Sequence, residues 1–170
     1  HQDRLVQAEQ GMMVVMDVIT GIRNIRGEMN IAPSSKLDVA VASPIEAVRQ
    51  TIANNQDLIV NLARLNGLSV QESDRHSASA ATAIVTDATI MVELEGVVDF
   101  AQEIQRLEKE IGKLVKELTG IEKKLSNPGF LSKAPEPVVA EVREKEGLLS
   151  EKKKKLTATL EKIKALAAAK

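Results

Sequence analysis

From Ile104 to Leu125 the apolar residues Ile104, Leu107, Ile111, Leu114, Leu118, Ile121 and Leu125 alternate steps of three and four without a miss. Such a seam commits the segment to a helix that must lay one narrow stripe against a partner along its whole length. Asp99 and Gln102 stand where a helix start wants a cap and its reciprocal partner. The rod is broken by Asn127-Pro128-Gly129, because proline has no amide to donate and glycine accepts backbone angles that other residues avoid. Phe130 and Leu131 offer the break an apolar plug, and Pro135 suits the first turn of a new helix. Val138, Val142, Leu149, Leu156, Ile163 and Leu166 then supply a second, patchier seam. Two helices joined by so short a connection run antiparallel. Matching the seams about the tip sets Leu125 opposite Val138, Leu114 opposite Leu149, Leu107 opposite Leu156 and Phe100 opposite Ile163, and leaves Ile111 against Lys152.

Upstream the periodicity changes. In KLDVAVAS, residues 36 to 43, Leu37, Val39 and Val41 alternate with Asp38, Ala40 and Ala42, as in a half-buried strand. Ser43-Pro44-Ile45-Glu46 has the spacing of a capping box. The helix it opens would bury Ile45, Val48, Ile52, Ile59 and Leu62 and end at Asn66-Gly67. Short strands are expected at 68 to 72, 80 to 86 and 89 to 95, the last two joined at Asp87-Ala88. Before all of this, Leu5, Ala8, Met12, Val15, Ile19, Ile22 and Met29 form one stripe of an amphipathic helix, widened by Val6, Met13 and Met16 and ended before Ile31-Ala32-Pro33. The expected fold is therefore α+β, with a long antiparallel α-helical hairpin (a coiled coil) and a small sheet covered by one helix and preceded by one amphipathic helix. The expected divisions are 1–34, 35–98 and 99–170.

Composition removes several classes of chemistry. Phe100 and Phe130 are the only aromatic residues, so the core is aliphatic and bases cannot be stacked on aromatic platforms. With no cysteine there are no disulfides, no thiolate nucleophile and no cysteine-bound zinc. His1 and His76 are the only histidines, and His76 sits in the polar loop SDRHSAS, where an ordinary surface role is expected. No glycine-rich phosphate loop, nucleophile elbow or metal-ligand spacing is present, so neither a catalytic residue nor a metal site is assigned. The apolar run MMVVMDVITGI, residues 12 to 22, contains Asp17 and is too short to span a bilayer, which favours a soluble protein. The broad stripe of the first helix has lost its bundle partners, and it is expected either to self-associate or to fold back on the small sheet.

The net charge of −1 conceals a division. Residues 1 to 100 hold 7 Lys+Arg against 13 Asp+Glu, a balance of −6, and residues 101 to 170 hold 16 against 11, a balance of +5. With Ile104 at heptad position a, Arg106, Lys109, Lys113, Lys116 and Lys123 fall at c or f, on the face turned away from the partner, while Glu108, Glu110, Glu117 and Glu122 flank the seam at e or g. A merely soluble coiled coil would look similar. The sharper reading is a basic rail for a phosphate backbone, and Lys152 to Lys155 admit the same two readings.

The run GVVDFAQEIQRLEKEIGKLVKEL followed by KLSNPGFLSKAPEPVVAEVREK closely resembles the C-terminal arm of the valyl-tRNA synthetase family, and IRNIRGEMNIAP resembles the close of that family's anticodon-binding helical domain. The glycine-to-aspartate entry at Gly96 to Asp99 and the KAP element at Lys133 to Pro135 are the most specific parts, and Pro137 departs from the acidic residue expected in the first turn. The resemblance implies a fragment of a class I synthetase whose other domains activate valine with ATP, charge tRNA(Val) and edit misattached threonine. It implies a cytoplasmic protein with no cofactor of its own in this region, partnered by tRNA and by the enzyme's remaining domains. The rail residues would be its tRNA contacts. The alternative is a coiled-coil adaptor or chaperone-like hairpin that binds protein through its tip.

Overall fold

The computed structural model describes residues 2–169, which form four strands and six helices. In chain order these are α1 (Gln2–Glu28), β1 (Leu37–Ala42), α2 (Glu46–Asn54), α3 (Gln56–Ala63), β2 (Leu65–Gln71), β3 (Ala80–Val85), β4 (Ala88–Glu93), α4 (Phe100–Leu125), α5 (Pro128–Lys133) and α6 (Glu136–Ala168). The chain divides into two compact units, one reaching to Asp99 and taking in the residues from Leu166, the other Phe100–Ala165.

The first unit is a mixed sheet in the order β2-β1-β4-β3, with β1 parallel to β2 and antiparallel to β4, and β3 antiparallel to β4. Because side chains alternate along a strand, the pairings Val39 with Leu68 and Val92, and Val41 with Val70 and Ile90, gather the aliphatic residues on one face. That face is covered by three helices: α1 packs on β3 and β4, the folding back that was one of its two expected outcomes, while α2 and α3, two helices where one was expected, pack on β2. Gly21 lets α1 come down onto β4: a Cβ there would lie 2.4 Å from Ile90 Cδ1 and 3.1 Å from Val85 Cγ1.

Several local expectations give way to tertiary geometry. Ser43 is buried but does not cap a helix from a capping box: its Oγ accepts from the Ile45 amide at 3.2 Å and donates to the Asp87 carbonyl at 2.6 Å, and α2 starts only at Glu46. The helix expected to run unbroken to Asn66 is divided at Asn55 and ends at Arg64, which is left-handed at φ 57°. Asn66-Gly67 instead sits where β2 slips register against β1, an irregularity that a small residue and a side-chain amide accommodate. The β3–β4 turn is Thr86-Asp87, one residue earlier than expected, with Asp87 at φ 59° and Val85 paired to Ala88.

Only the second half of α1 behaves as its stripe requires. Val15, Val18, Ile19, Ile22 and Ile25 are buried, whereas Leu5, Val6, Met12, Met13 and Met16 are exposed. By length and composition α1 meets the requirement for a bilayer-spanning helix, contrary to the expectation from residues 12 to 22 alone. Its buried half packs on the sheet as a core helix does, and its Asp17 accepts a hydrogen bond from Thr86 at 3.2 Å.

In the second unit every residue of the α4 seam is buried or half-buried. α4 ends at Leu125, and the expected loop is a further helix, α5, opened by Asn127, whose side chain accepts from the Gly129 amide at 2.9 Å, with Pro128 in the first turn. Phe130 is half-buried as a plug should be, but Leu131 is exposed. Pro135 precedes α6, its carbonyl accepting from the Val138 and Val139 amides, and Pro137 is absorbed in the first turn, where no donor is needed. The α6 seam includes Val139 and not Val138. α6 meets α4 where Lys164 Nζ lies 3.4 Å from Glu108 Oε1 and where Leu156 and Lys152 share a groove with Leu114. Leu156 was expected beside Leu107, and it instead lines a groove with Leu114. The residues of α5, folded back onto α4, are what the tighter loop left out.

Candidate nucleic-acid interface

The rail residues occupy one helix, and the structure separates them into two kinds. Arg106 is half-buried and held by carboxylates on either side: its Nε lies 3.0 Å from Glu103 Oε1, a second guanidinium nitrogen reaches the same carboxylate, and a third lies 2.9 Å from Glu110 Oε2. Glu103 is buried, and its hydrogen bonds to Arg106 hold the guanidinium pKa above its usual value, with Glu110 adding to the effect. Both partners lie within one turn of Arg106, a spacing readable in the sequence as Glu103-Arg106-Glu110. An Arg so occupied orders the first turns of α4 before it can serve any external anion.

Lys109, Lys113, Lys116 and Lys123 are all exposed and, among the described residues, take part in no ion pair. They recur along α4 because the seam fixes which face turns outward, and about 1.5 Å of rise per residue spreads Lys109 to Lys123 over roughly 20 Å. Long flexible stems carrying hydrated point charges suit contact with phosphate oxygens without base discrimination.

Sequence reasoning missed three arrangements. Lys124 Nζ sits 5.2 Å from the centre of the Phe130 ring, tying α4 to the tip, which the i to i+6 spacing across a proline does not disclose. Lys152 lines the groove beside Lys113 and Lys116, with Glu110 and Glu117 between them, a placement that depends on the register of α6. In the first unit, Arg26 of the IRNIR stretch donates to the carbonyls of Ala32, Ser35, Ala63 and Arg64 at 2.7 to 3.1 Å, closing the C-terminal end of α3. Burial, and secondarily the nearby Arg64, lowers its pKa. His76 lies in the exposed loop with Nδ1 2.7 Å from the Asp74 carbonyl. Behind that loop Ser77 and Ser79 donate to Glu93, whose pKa these bonds hold below the usual carboxylate value.

Residues 99–164 match the family model described as the valyl tRNA synthetase tRNA binding arm. The chain is 42% identical over 156 residues to a valine-tRNA ligase of Geobacter sulfurreducens, 37% identical over 161 residues to one of Nitratidesulfovibrio vulgaris and 35% identical over 158 residues to one of Geobacillus stearothermophilus. These alignments cover 92%, 95% and 93% of the chain but 18% of each relative, so the chain spans about a fifth of their length.

Proposed function

We propose that this chain, which belongs to the valyl-tRNA synthetase family, binds tRNA through α4, α5 and α6, acting as an antiparallel coiled-coil hairpin laid along the sugar-phosphate backbone at the tRNA elbow. In this reading the remaining domains of the same enzyme activate valine with ATP and charge tRNA(Val) in the cytoplasm, and residues 1–34 close a helical domain that binds the anticodon. The exposed half of α1 would then be covered by other parts of that enzyme or by self-association.

The observation that carries the reading is the row of exposed, unpaired lysines at 109, 113, 116 and 123, on the α4 face opposite its seam and inside the matched arm. The alternative, a protein-binding hairpin, would use apolar residues near the tip, where Leu131 and Val138 are exposed and Phe130 is half-buried beneath Lys124; the lysine row inside the matched arm favours RNA. Phosphate contacts position a tRNA and do not identify it. Glutamate at Lys109, Lys113 and Lys116 together is therefore expected to weaken tRNA binding and make its salt dependence shallower, by roughly 0.7 to 0.9 in log-log slope per lost contact. Preference among tRNAs should change little. In the full enzyme the Michaelis constant for tRNA should rise while valine activation stays as it was. Unaltered affinity and slope would reduce the row to a solvated face.

A further inference from the structure

Burial along α6 defines a register that its sequence obscures. Val139, Val142, Glu146, Leu149, Lys153, Leu156, Leu160 and Ile163 are buried or half-buried and alternate steps of three and four, so two seam positions are charged. Taking these as a and d places Lys145 and Lys152 at g and Lys155 at c, all exposed, while Ser150, Thr157 and Lys164 fall at e on the other side. In an antiparallel pair like flanks face each other. The Glu108–Lys164 ion pair joins two e positions, and the groove that brings Lys152 beside Glu110 and Glu117 joins g positions.

The arm consequently has two unlike edges. One carries Lys113 and Lys116 from α4 and Lys152 from α6, around a groove that Leu114 and Leu156 also line, and the c position of Lys155 puts it on the same side of α6, outside the groove itself. Of the two acids that line the groove, Glu110 is drawn to Arg106, which leaves Glu117 against three lysines. The other edge carries Arg143 toward its α5 end, then Ser150, Thr157 and a Lys164 already paired with Glu108, so along residues 150–157 its e positions hold no lysine. We propose that the basic edge is a phosphate track in which the RNA backbone is gripped by both helices, so that Lys152 and Lys155 of α6 are binding residues alongside Lys113 and Lys116. This rests on the proposed function and assigns its contact surface: the molecule engages RNA edge-on, and a single helix face is only half of the site. Lysines from two helices converging on one groove can hold phosphates that a single row would meet only in passing.

The test compares two double variants of the 170-residue chain with equal change in net charge, Lys152→Ala with Lys155→Ala against Ser150→Glu with Thr157→Glu. Binding to tRNA is followed by fluorescence anisotropy across a salt series, with helicity checked by circular dichroism; none of the four residues is buried. The first pair should lower the log-log slope by roughly 1.4 to 1.8, two contacts at 0.7 to 0.9 each, and the second by less than half of that. Equal losses from both pairs, or no loss from the first, would overturn the track. If Lys109, Lys113 and Lys116 replaced by glutamate abolish binding while the α6 pair has no effect, the track falls and the tRNA-binding reading stands. If the unaltered chain shows no salt-dependent affinity for tRNA, both fall.

Discussion

Ile19, Ile22, Ile59 and Ile90 of the sheet unit are fully shielded from solvent, whereas along the arm full shielding stops at Leu107 and Ile163, and Ile121, Leu125, Val142 and Leu149 are only half-buried. The contrast follows from geometry. A sheet covered by three helices surrounds its aliphatic residues on several sides, whereas the seam residues of α4 and α6 are covered less completely. The first arrangement concentrates stability. The second leaves most of its length exposed, as the proposed contact with an RNA backbone requires.

The sharpest way to break this contrast is to remove the same atoms from each unit. Ile22→Ala in α1 should cost about 2 to 5 kcal/mol, because a fully buried isoleucine leaves a cavity. Urea denaturation should show the loss in the transition of the sheet unit, with the arm's transition unmoved. A shared single transition would mean that the units are one cooperative structure.

Arg26→Ala should come next, at roughly 2 to 3 kcal/mol, since it strips a charged donor from four carbonyls in one change. Lysine there should recover only part, because a single ammonium cannot reproduce a planar fork. A fully stable Arg26→Lys variant would show that charge alone closes the end of α3.

Within the arm, Ile121→Ala should cost only about 1 kcal/mol, as a half-buried residue has less to lose. Hydrogen exchange sharpens the same point: the Leu107 amide should be better protected than that of Ile121, following the burial gradient. Reversed protection would place the firm part of the arm at its tip.

The smallest effect concerns pH. Glu93 has a depressed folded pKa, so its contribution is present above the ordinary glutamate range and is lost as pH falls through the folded value. Ser77→Ala with Ser79→Ala should return the Glu93 titration, read by carboxyl carbon NMR, to the ordinary range, with loosening of the loop over 72–79. An unchanged titration would mean that the serines do not hold the carboxylate.

What could be read in advance was periodic. The α4 seam, the four strands and the outward placement of Lys109, Lys113, Lys116 and Lys123 follow from steps of two, three and four, which backbone geometry imposes locally. Chain reversals were harder. Ser43 serves the Asp87 carbonyl across the sheet, and Arg64 adopts a left-handed conformation that no glycine announced. The placement of α6 was harder to read because α5 replaced the expected loop, and Lys152, expected against Ile111, lines the groove at Leu114. Arg26 was visible only as part of a motif, because its four acceptors come from two separate stretches of chain.

The division of labour between the two units is tested most directly by titrating tRNA into isotopically labelled protein and mapping amide chemical shifts. The expected map has its largest changes at Lys109 to Lys123 and at Lys152 and Lys155, with Val15 to Val92 unmoved, and the changes should fade as salt is raised. Changes centred on the sheet unit, or no changes in the arm at a salt concentration where tRNA is bound, would contradict the account.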